Sequence, residues 1–269
     1  MNKVCIFGAQ SNLVGIYSHA DDSNADKPVI LILNAGLVHR PGPFRINTEL
    51  TQHLNKNGYD VFRFDLSGIG DSDKPAQDSR TYEQRNIDDI GEAIQYLDEQ
   101  QKDRKIIIIG LCTGADHAHK AAVSFPQISG TVLLDGYGYP TNKFIRSRYL
   151  PVLFNPLRLI RAIFNKIIDK FSPDNNDDES YFWILPDRND YIDDLNALHT
   201  RGVKQLYIFS GGVRDYYDYE EQFADGFSDY NFVNDIEVHH IKSTDHTYII
   251  LAERKQLFDR ISHWLDKMF

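Results

Sequence analysis

Residues 105–115 read KIIIIGLCTGA, a short β-branched run followed at once by a cysteine with a glycine two positions to either side. The apolar run is typical of a strand buried on both faces of a parallel sheet, and the alanine-rich residues after Gly114 favour a helix. A sharp turn from strand to helix is the nucleophile-elbow pattern Gly-x-Ser-x-Gly, here with a thiol where the hydroxyl usually stands. The pattern predicts that Cys112 is a nucleophile. The alternative is a buried cysteine that only ends a core strand.

The predicted turn makes specific demands on the backbone. It holds Cys112 in a strained conformation, and it needs Gly110 and Gly114 because larger side chains there would collide with the crossing chain. It also places Cys112 at the N-terminus of a helix, where the helix dipole favours the thiolate over the thiol. The backbone N–H of Thr113 is then a donor for the negative charge that develops on a reacting carbonyl.

The composition excludes several classes of protein. A chain of 269 residues with 42% hydrophobic and 25% charged residues suits one large α/β domain or a core domain with an insertion. The net charge of -10 argues against nucleic-acid binding, which needs a basic surface. Two cysteines, Cys5 and Cys112, exclude a disulfide framework and a cysteine-rich zinc site, and neither a metal nor a cofactor is expected. No signal peptide or membrane-spanning run is visible, so we expect a cytoplasmic protein with no integral membrane segment.

Short apolar runs, separated mostly by helical patterns, predict an α/β fold. Eight runs predict strands, at Val4–Phe7, Leu13–Tyr17, Val29–Leu33, Val61–Phe64, Ile106–Ile109, Thr131–Leu134, Val203–Phe209 and Ile236–Ile241. The first two are adjacent without a helix between them, which predicts an antiparallel hairpin at one edge of the sheet. The later runs alternate with helices, which predicts a mostly parallel sheet with right-handed crossovers and helices on both faces.

One segment breaks this alternation, because no strand is predicted between the sixth and seventh runs. We therefore assign residues 1–136 and 202–269 to the core and residues 137–201 to an inserted helical lid. Within the insertion, Asn155-Pro156 is a good helix start, and apolar residues recur at helical spacing as far as Phe171. We expect this helix to cover the site and to bring Phe164 to the substrate. The alternatives are one more core helix or a basic amphipathic helix that lies on a membrane.

A cysteine nucleophile needs a base, and the base needs an acid that orients it. His246 lies in the polar loop between the last strand and the last helix, from which it can reach the elbow. Asp215 follows a Gly-Gly turn at the carboxyl end of the seventh strand and precedes the histidine, which is the chain order usual for this type of elbow. We therefore expect Asp215 to be the acid. Asp218 in the same loop and Asp135 at the end of the sixth strand compete for the role.

The loop after the third strand, residues 34–40, is expected to complete the site. Gly36 would let the backbone approach the reacting carbonyl, and the N–H of Leu37 is the candidate second donor beside that of Thr113. His39 and Arg40 follow. They either hold an anionic group of the substrate or pair with the abundant carboxylates of the chain.

Three motifs give the chain a resemblance to a known family. They are NAGLVHRPGPFR at residues 34–45, GYDVFRFDLSGIGDS at residues 58–72 and GLCTGA at residues 110–115. Together they resemble the serine-aminopeptidase-like branch of the α/β-hydrolase superfamily, and within it the hydrolases encoded beside exosortase and exopolysaccharide genes, which also carry a cysteine elbow. The resemblance implies an α/β-hydrolase fold, a triad of Cys112, Asp215 and His246, and an ester-type or thioester-type substrate.

The sequence therefore predicts a cysteine-dependent hydrolase of carboxylic esters or thioesters that forms a thioester acyl-enzyme. Its expected partner is a small-molecule acyl ester or thioester. An acyltransferase would use the same acyl-enzyme. The alternative from another class is a non-catalytic or membrane-peripheral accessory protein of polysaccharide or acyl-lipid assembly. Loss of the acid or the histidine would favour that alternative, and the sequence retains candidates for both.

Overall fold

A central sheet of eight strands organises the computed structural model, which describes residues 1–22, 26–75, 78–153 and 185–269. The strands are β1 Asn2–Phe7, β2 Leu13–Ser18, β3 Val29–Ile32, β4 Val61–Phe64, β5 Ile106–Leu111, β6 Ile128–Leu134, β7 Lys204–Ser210 and β8 Ile236–Ile241. Their spatial order is β1-β2-β4-β3-β5-β6-β7-β8. Each of the eight apolar runs in the sequence forms one of these strands.

The pairing of the strands decides where the loops meet. Strand β1 pairs antiparallel with β2, and β2 pairs antiparallel with β4, which confirms the predicted hairpin at one edge. The remaining pairs are all parallel, from β4 through β3, β5, β6 and β7 to β8. The carboxyl ends of parallel strands share one edge of a sheet, so the loops after β3, β5, β6, β7 and β8 converge there.

Helices cover both faces of the sheet. In the described part of the chain they are α1 Ile46–Lys56, α2 Tyr82–Gln100, α3 Thr113–Ser124, α4 Asn142–Leu153, α5 Arg188–Thr200, α6 Gln222–Phe227 and α7 Leu251–Met268. Apolar side chains of α2, α3 and α5 pack on one face of the sheet, and those of α1 and α7 pack on the other. Among these described helices, none is long and apolar enough to cross a membrane.

Local sequence explains where helix α2 begins and which face it buries. The Thr81 side chain accepts the N–H of Gln84 at 3.2 Å, and the Gln84 side chain accepts the N–H of Thr81 at 3.2 Å. This capping box satisfies two donors at the helix start that would otherwise lack partners. One stripe of the helix then faces the sheet and is buried, through Ile90, Ala93, Ile94 and Leu97.

Helix α5 falls within the segment predicted as a lid, yet it packs as part of the core. Tyr191, Leu195 and Leu198 are fully buried in the same cluster as the apolar residues of α3. The core therefore includes residues before 202, because the apolar stripe of α5 packs against the helices on that face of the sheet. The predicted lid helix, with Phe164, lies outside the described residues.

Candidate active site

Cys112 occupies the turn between β5 and α3, with a backbone φ of 57° and ψ of -125°. A positive φ is strained for a residue with a side chain, so the surrounding bonds must hold it in place. The N–H of Cys112 donates to the carbonyl of Leu134 on β6 at 2.9 Å, and its carbonyl accepts the N–H of Ala115 at 2.8 Å. The residue is half-buried, so the thiol lies at the surface of the converging loops. This is the geometry expected of a nucleophile elbow.

Two glycines make the turn possible. A Cβ atom at Gly110 would lie 1.9 Å from the carbonyl oxygen of Gly114, and one at Gly114 would lie 2.3 Å from the carbonyl oxygen of Asn34. Both distances are far inside van der Waals contact, and both involve backbone atoms that cannot move aside. The structure therefore requires glycine at both positions, as the sequence predicts.

His246 lies in the loop after β8, and its ring joins Cys112 to Asp135. The ring Nδ1 lies 2.8 Å from Oδ2 of Asp135, and the ring also interacts with the side chain of Cys112. These interactions, first with Asp135 and then with Cys112, raise the pKa of His246 from 6.5 to about 10, although burial acts in the opposite direction. With Nδ1 donating to a carboxylate, the other ring nitrogen is left to exchange a proton with the thiol.

Asp135 follows β6, and donors surround its buried carboxylate. Oδ1 accepts the N–H of Ser210 at 2.6 Å, and Oδ2 accepts the hydroxyl of Ser210 at 2.7 Å. The backbone φ of Asp135 is 53°, in the left-handed region that favours glycine. Its N–H donates to the carbonyl of Ile208 at 2.9 Å, and its carbonyl accepts the hydroxyl of Tyr216 at 3.0 Å. Bonds on both sides of the residue thus hold the carboxylate toward His246.

Asp215, the acid expected from the sequence, lies away from His246. Its side chain is 88% exposed and forms an ion pair with Arg148. The reason is that Asp215 comes five residues after the last residue of β7, beyond a short 3-10 turn that carries the chain to the surface. Asp135, one of its two competitors, takes the place beside the histidine. The other competitor, Asp218, is partly exposed and pairs with a neighbouring arginine.

The loop after β3 is attached directly to the elbow. The N–H of Gly36, which has a φ of 57°, donates to Oγ1 of Thr113 at 2.9 Å. A turn closed by the N–H of Val38 on the carbonyl of Ala35, at 3.0 Å, places Leu37 at its tip. The Leu37 side chain is exposed. The hydroxyl of Thr113 has a role that the sequence did not suggest, since it fixes this loop.

Arg40 is bound inside the protein rather than presented to a substrate. Its guanidinium forms ion pairs with Asp65 and Asp71, and its backbone N–H donates to Oδ1 of Asp65 at 2.5 Å. Asp65 is fully buried, so this arginine compensates a charge that would otherwise be costly. The sequence allowed Arg40 either to hold an anionic group of the substrate or to pair with carboxylates of the chain. In the structure it pairs with carboxylates. His39, its neighbour, is exposed.

The sequence does not identify Ser210 at the end of β7 or Tyr216 in the loop after it, whose side chains donate hydrogen bonds to Asp135. The available signal was a serine at the carboxyl end of a strand beside the strand that carries Asp135. That signal depends on knowing which strands are neighbours and how far each one extends. Among the described residues, no group of His, Cys, Asp or Glu is arranged to hold a metal ion.

Comparison with known proteins adds the family context. Residues 28–170 match the family model described as the alpha/beta hydrolase fold. An esterase from Pyrococcus furiosus is similar in structure, with a TM-score of 0.64 and 17% identity over 100% of this chain and 91% of that one. The esterase domain of a Rhodothermus marinus protein has a TM-score of 0.60 and 15% identity, over 98% of this chain and 97% of that one. A serine hydrolase without a lid from Xanthomonas campestris has a TM-score of 0.58 and 12% identity, over 99% of this chain and 94% of that one. No curated protein matches the sequence.

Proposed function

Because the chain belongs to the alpha/beta hydrolase fold family, we propose that it hydrolyses carboxylic ester or thioester bonds with Cys112 as nucleophile, His246 as base and Asp135 as orienting acid. The observation that carries the proposal is the place of His246, which is hydrogen-bonded to the buried carboxylate of Asp135 and interacts with Cys112. The strained elbow at Cys112 and the likeness to solved esterases support it further.

Acylation is the first half of the proposed reaction. His246, whose raised pKa favours its protonated form, holds the proton of the Cys112 thiol, and the sulfur attacks the carbonyl carbon of the substrate while an electron pair moves to the carbonyl oxygen. The tetrahedral intermediate then collapses and breaks the bond to the leaving oxygen or sulfur, which takes the proton from His246. The acyl group remains on Cys112 as a thioester.

Deacylation returns the enzyme to its starting state. A water molecule gives a proton to His246 as its oxygen attacks the thioester carbon, and the carbon–sulfur bond breaks to release the acid. The sulfur of Cys112 recovers its proton from His246. If an alcohol or amine replaced water, the same steps would give acyl transfer, and the product identifies which acceptor is used.

Negative charge on the carbonyl oxygen needs donors that are already in place. The backbone N–H of Thr113 follows the nucleophile at the start of α3, and the N–H of Leu37 lies in the loop that Gly36 fixes to Thr113. We assign these two N–H groups to the oxyanion hole. Because the bond from Gly36 ends on the side chain of Thr113, changing that side chain would move the loop that carries Leu37.

The proposed substrate class follows from the chemistry of sulfur. A thiolate is a better leaving group than an alkoxide, so a tetrahedral intermediate on Cys112 returns to reactants unless the substrate also carries a good leaving group. Activated esters and thioesters meet that condition better than simple amides do. The substrate is therefore a small acyl ester or thioester.

A panel of p-nitrophenyl esters and acyl thioesters of graded chain length tests the proposal. The wild-type protein is expected to release product from at least one class, and Cys112→Ala is expected to abolish that release. Cys5→Ala is the matched control. Cys5 is buried in the edge strand β1, four places from β5 in the sheet, so this variant should leave turnover unchanged. If no member of the panel shows turnover that depends on Cys112, the proposal is wrong.

A further inference from the structure

Ser210 is the last residue of β7 and is completely buried. Both of its donors end on one carboxylate. Its backbone N–H donates to Oδ1 of Asp135 at 2.6 Å, and its hydroxyl donates to Oδ2 at 2.7 Å. Hydrogen bonds of this kind, between a neutral donor and a charged acceptor, are stronger than those between neutral groups.

The direction of the Ser210 hydroxyl is fixed by a third bond. Its oxygen accepts the N–H of Gly212 at 3.1 Å, so an electron pair is engaged on that side and the hydroxyl proton points at Asp135. Oδ2 of Asp135 then lies between two donors, the hydroxyl of Ser210 and Nδ1 of His246. With Oδ1 held as well, rotation of the carboxylate about its terminal bond would break several hydrogen bonds together.

The two glycines after Ser210 bring the same turn against the histidine loop. A Cβ atom at Gly211 would lie 2.1 Å from the carbonyl oxygen of Lys242, and one at Gly212 would lie 2.4 Å from the backbone nitrogen of His246. Only glycine permits such close approach. The turn therefore contacts the backbone that carries the base while its serine holds the acid.

We propose that Ser210 is a positioning residue of this site: it fixes the Asp135 carboxylate in the orientation that aligns His246 with Cys112. The expected effect on turnover rests on the proposed function. The expected orientation of Asp135 and His246 does not depend on it. Loss of the hydroxyl leaves Oδ2 of Asp135 with one donor fewer. The carboxylate then samples orientations in which Nδ1 of His246 is held less firmly, and the ring spends less time against the thiol.

A purely structural role makes a different prediction. In the described part of the chain, the ion pair of Asp135 is with His246, so the Ser210 donors also help to compensate a buried charge. If compensation were their whole contribution, removing the hydroxyl would lower stability and leave the alignment of His246 unchanged. The two roles are therefore separated by any measurement that reports on Cys112 and His246 rather than on the melting temperature.

The test compares Ser210→Ala with Ser210→Thr, which keeps a hydroxyl, and with a matched control, Ser262→Ala. Ser262 is also a buried serine, and its hydroxyl contacts His53 and the carbonyl of Phe258 far from the site. Two quantities are measured at neutral pH in each protein. They are kcat and KM on the best ester of the panel, and the rate at which iodoacetamide alkylates the peptide that contains Cys112.

We expect Ser210→Ala to lower kcat about tenfold with KM unchanged, and to slow alkylation of Cys112. Ser210→Thr should restore most of both rates. Ser262→Ala should lower the melting temperature and leave both rates as in the wild type. If Ser210→Ala does not fold, Ser210→Cys takes its place, since it keeps the side-chain volume but is a weaker donor.

The alkylation rate also separates this inference from the proposed function. If the wild-type protein turned over no ester, the proposed function would fail, while slower alkylation of Cys112 in Ser210→Ala would still support the positioning role. Alkylation in Ser210→Ala at the same rate as in Ser262→Ala would overturn it, whatever the result with esters.

Discussion

Asp135 combines a buried carboxylate with a backbone that non-glycine residues seldom adopt. Its φ of 53° is held by Ile208 on one side and by Tyr216 on the other. Strain of this kind persists where the surrounding structure fixes the residue, and such positions are common in active sites. Here the strained backbone turns the carboxylate toward the histidine instead of along the strand.

Replacing Asp135 by Asn tests its assignment at the scale of one residue. The amide is similar in size, but it cannot stabilise the imidazolium and it allows the wrong tautomer of His246, so kcat should fall by about a thousandfold or more. Binding of a substrate analogue should change little, because the side chain is buried behind the histidine. Turnover and analogue affinity are the two measurements.

Asp215→Asn is the control, because Asp215 is exposed and paired with Arg148. It should leave kcat within about twofold of the wild type, as expected for a surface ion pair. A large loss of turnover in Asp215→Asn together with a small one in Asp135→Asn would return the role of acid to Asp215.

The residues of the site differ in how well the sequence alone could identify them. Cys112 and its two glycines are defined by one short stretch, and the local geometry of a strand-to-helix turn fixes their conformation. His246 is identified by chain order. Local sequence does not identify the proposed acid, because Asp135 and Asp215 both follow strands that end at the same edge of the sheet. Only the path of the chain after β7 decides between them.

At the scale of elements, the elbow depends on close packing between three pieces of backbone. Strand β5 and helix α3 cross at Gly110 and Gly114, and the chain after β3 passes at Asn34. The loop that carries Leu37 begins at that crossing. A shift at Gly114 would therefore move Cys112 and one proposed oxyanion donor at the same time.

Gly114→Ala tests this packing. Its Cβ would lie 2.3 Å from the carbonyl oxygen of Asn34, so we expect the free energy of unfolding to fall by about 1–3 kcal/mol and turnover to be lost. Gly226→Ala is the control in helix α6, since a Cβ there would meet its nearest neighbour at 3.7 Å, an ordinary contact. Denaturant unfolding and ester turnover measure the two effects. Normal turnover in Gly114→Ala would show that the elbow has more freedom than this packing allows.

At the same scale, the turn after β7 has a different role from the one that its sequence predicts. The Gly-Gly pair after β7 is recognisable in the sequence, and by itself it predicts that the turn presents Asp215. In the structure the glycines are needed because the chain passes against Lys242 and His246, and the functional side chain is Ser210 just before them. A glycine pair in a sequence indicates close approach of another backbone segment, but it does not identify that segment.

At the scale of the whole molecule, the parallel sheet brings together residues that are distant in the chain. Cys112, Asp135 and His246 follow β5, β6 and β8, and the register of neighbouring strands brings their ends to one edge. The fold and its edge hairpin were predictable from the order of apolar runs. The lid helix and the contribution of Phe164 stay predictions, and helix α5 belongs to the core.

The linkage between His246 and folding gives a prediction for the whole molecule. The pKa of His246 is raised by its interactions with Asp135 and Cys112, so these interactions stabilise the folded state fully below about pH 6.5 and lose their effect as the pH rises through about 10. The melting temperature of the wild type should therefore exceed that of His246→Gln most at about pH 6, and the difference should shrink toward pH 10. A difference that grows with pH would contradict the direction of the shift.

Trapping the acyl-enzyme tests directly whether Cys112 is the nucleophile. The protein is mixed with the best ester of the panel, quenched in acid during turnover and digested, and the peptides are weighed by mass spectrometry. We expect the added acyl group on the peptide that contains Cys112, and we expect Asp135→Asn to accumulate it more slowly. An acyl group on another residue, or undiminished turnover in Cys112→Ala, would contradict the assignment of Cys112 as the nucleophile.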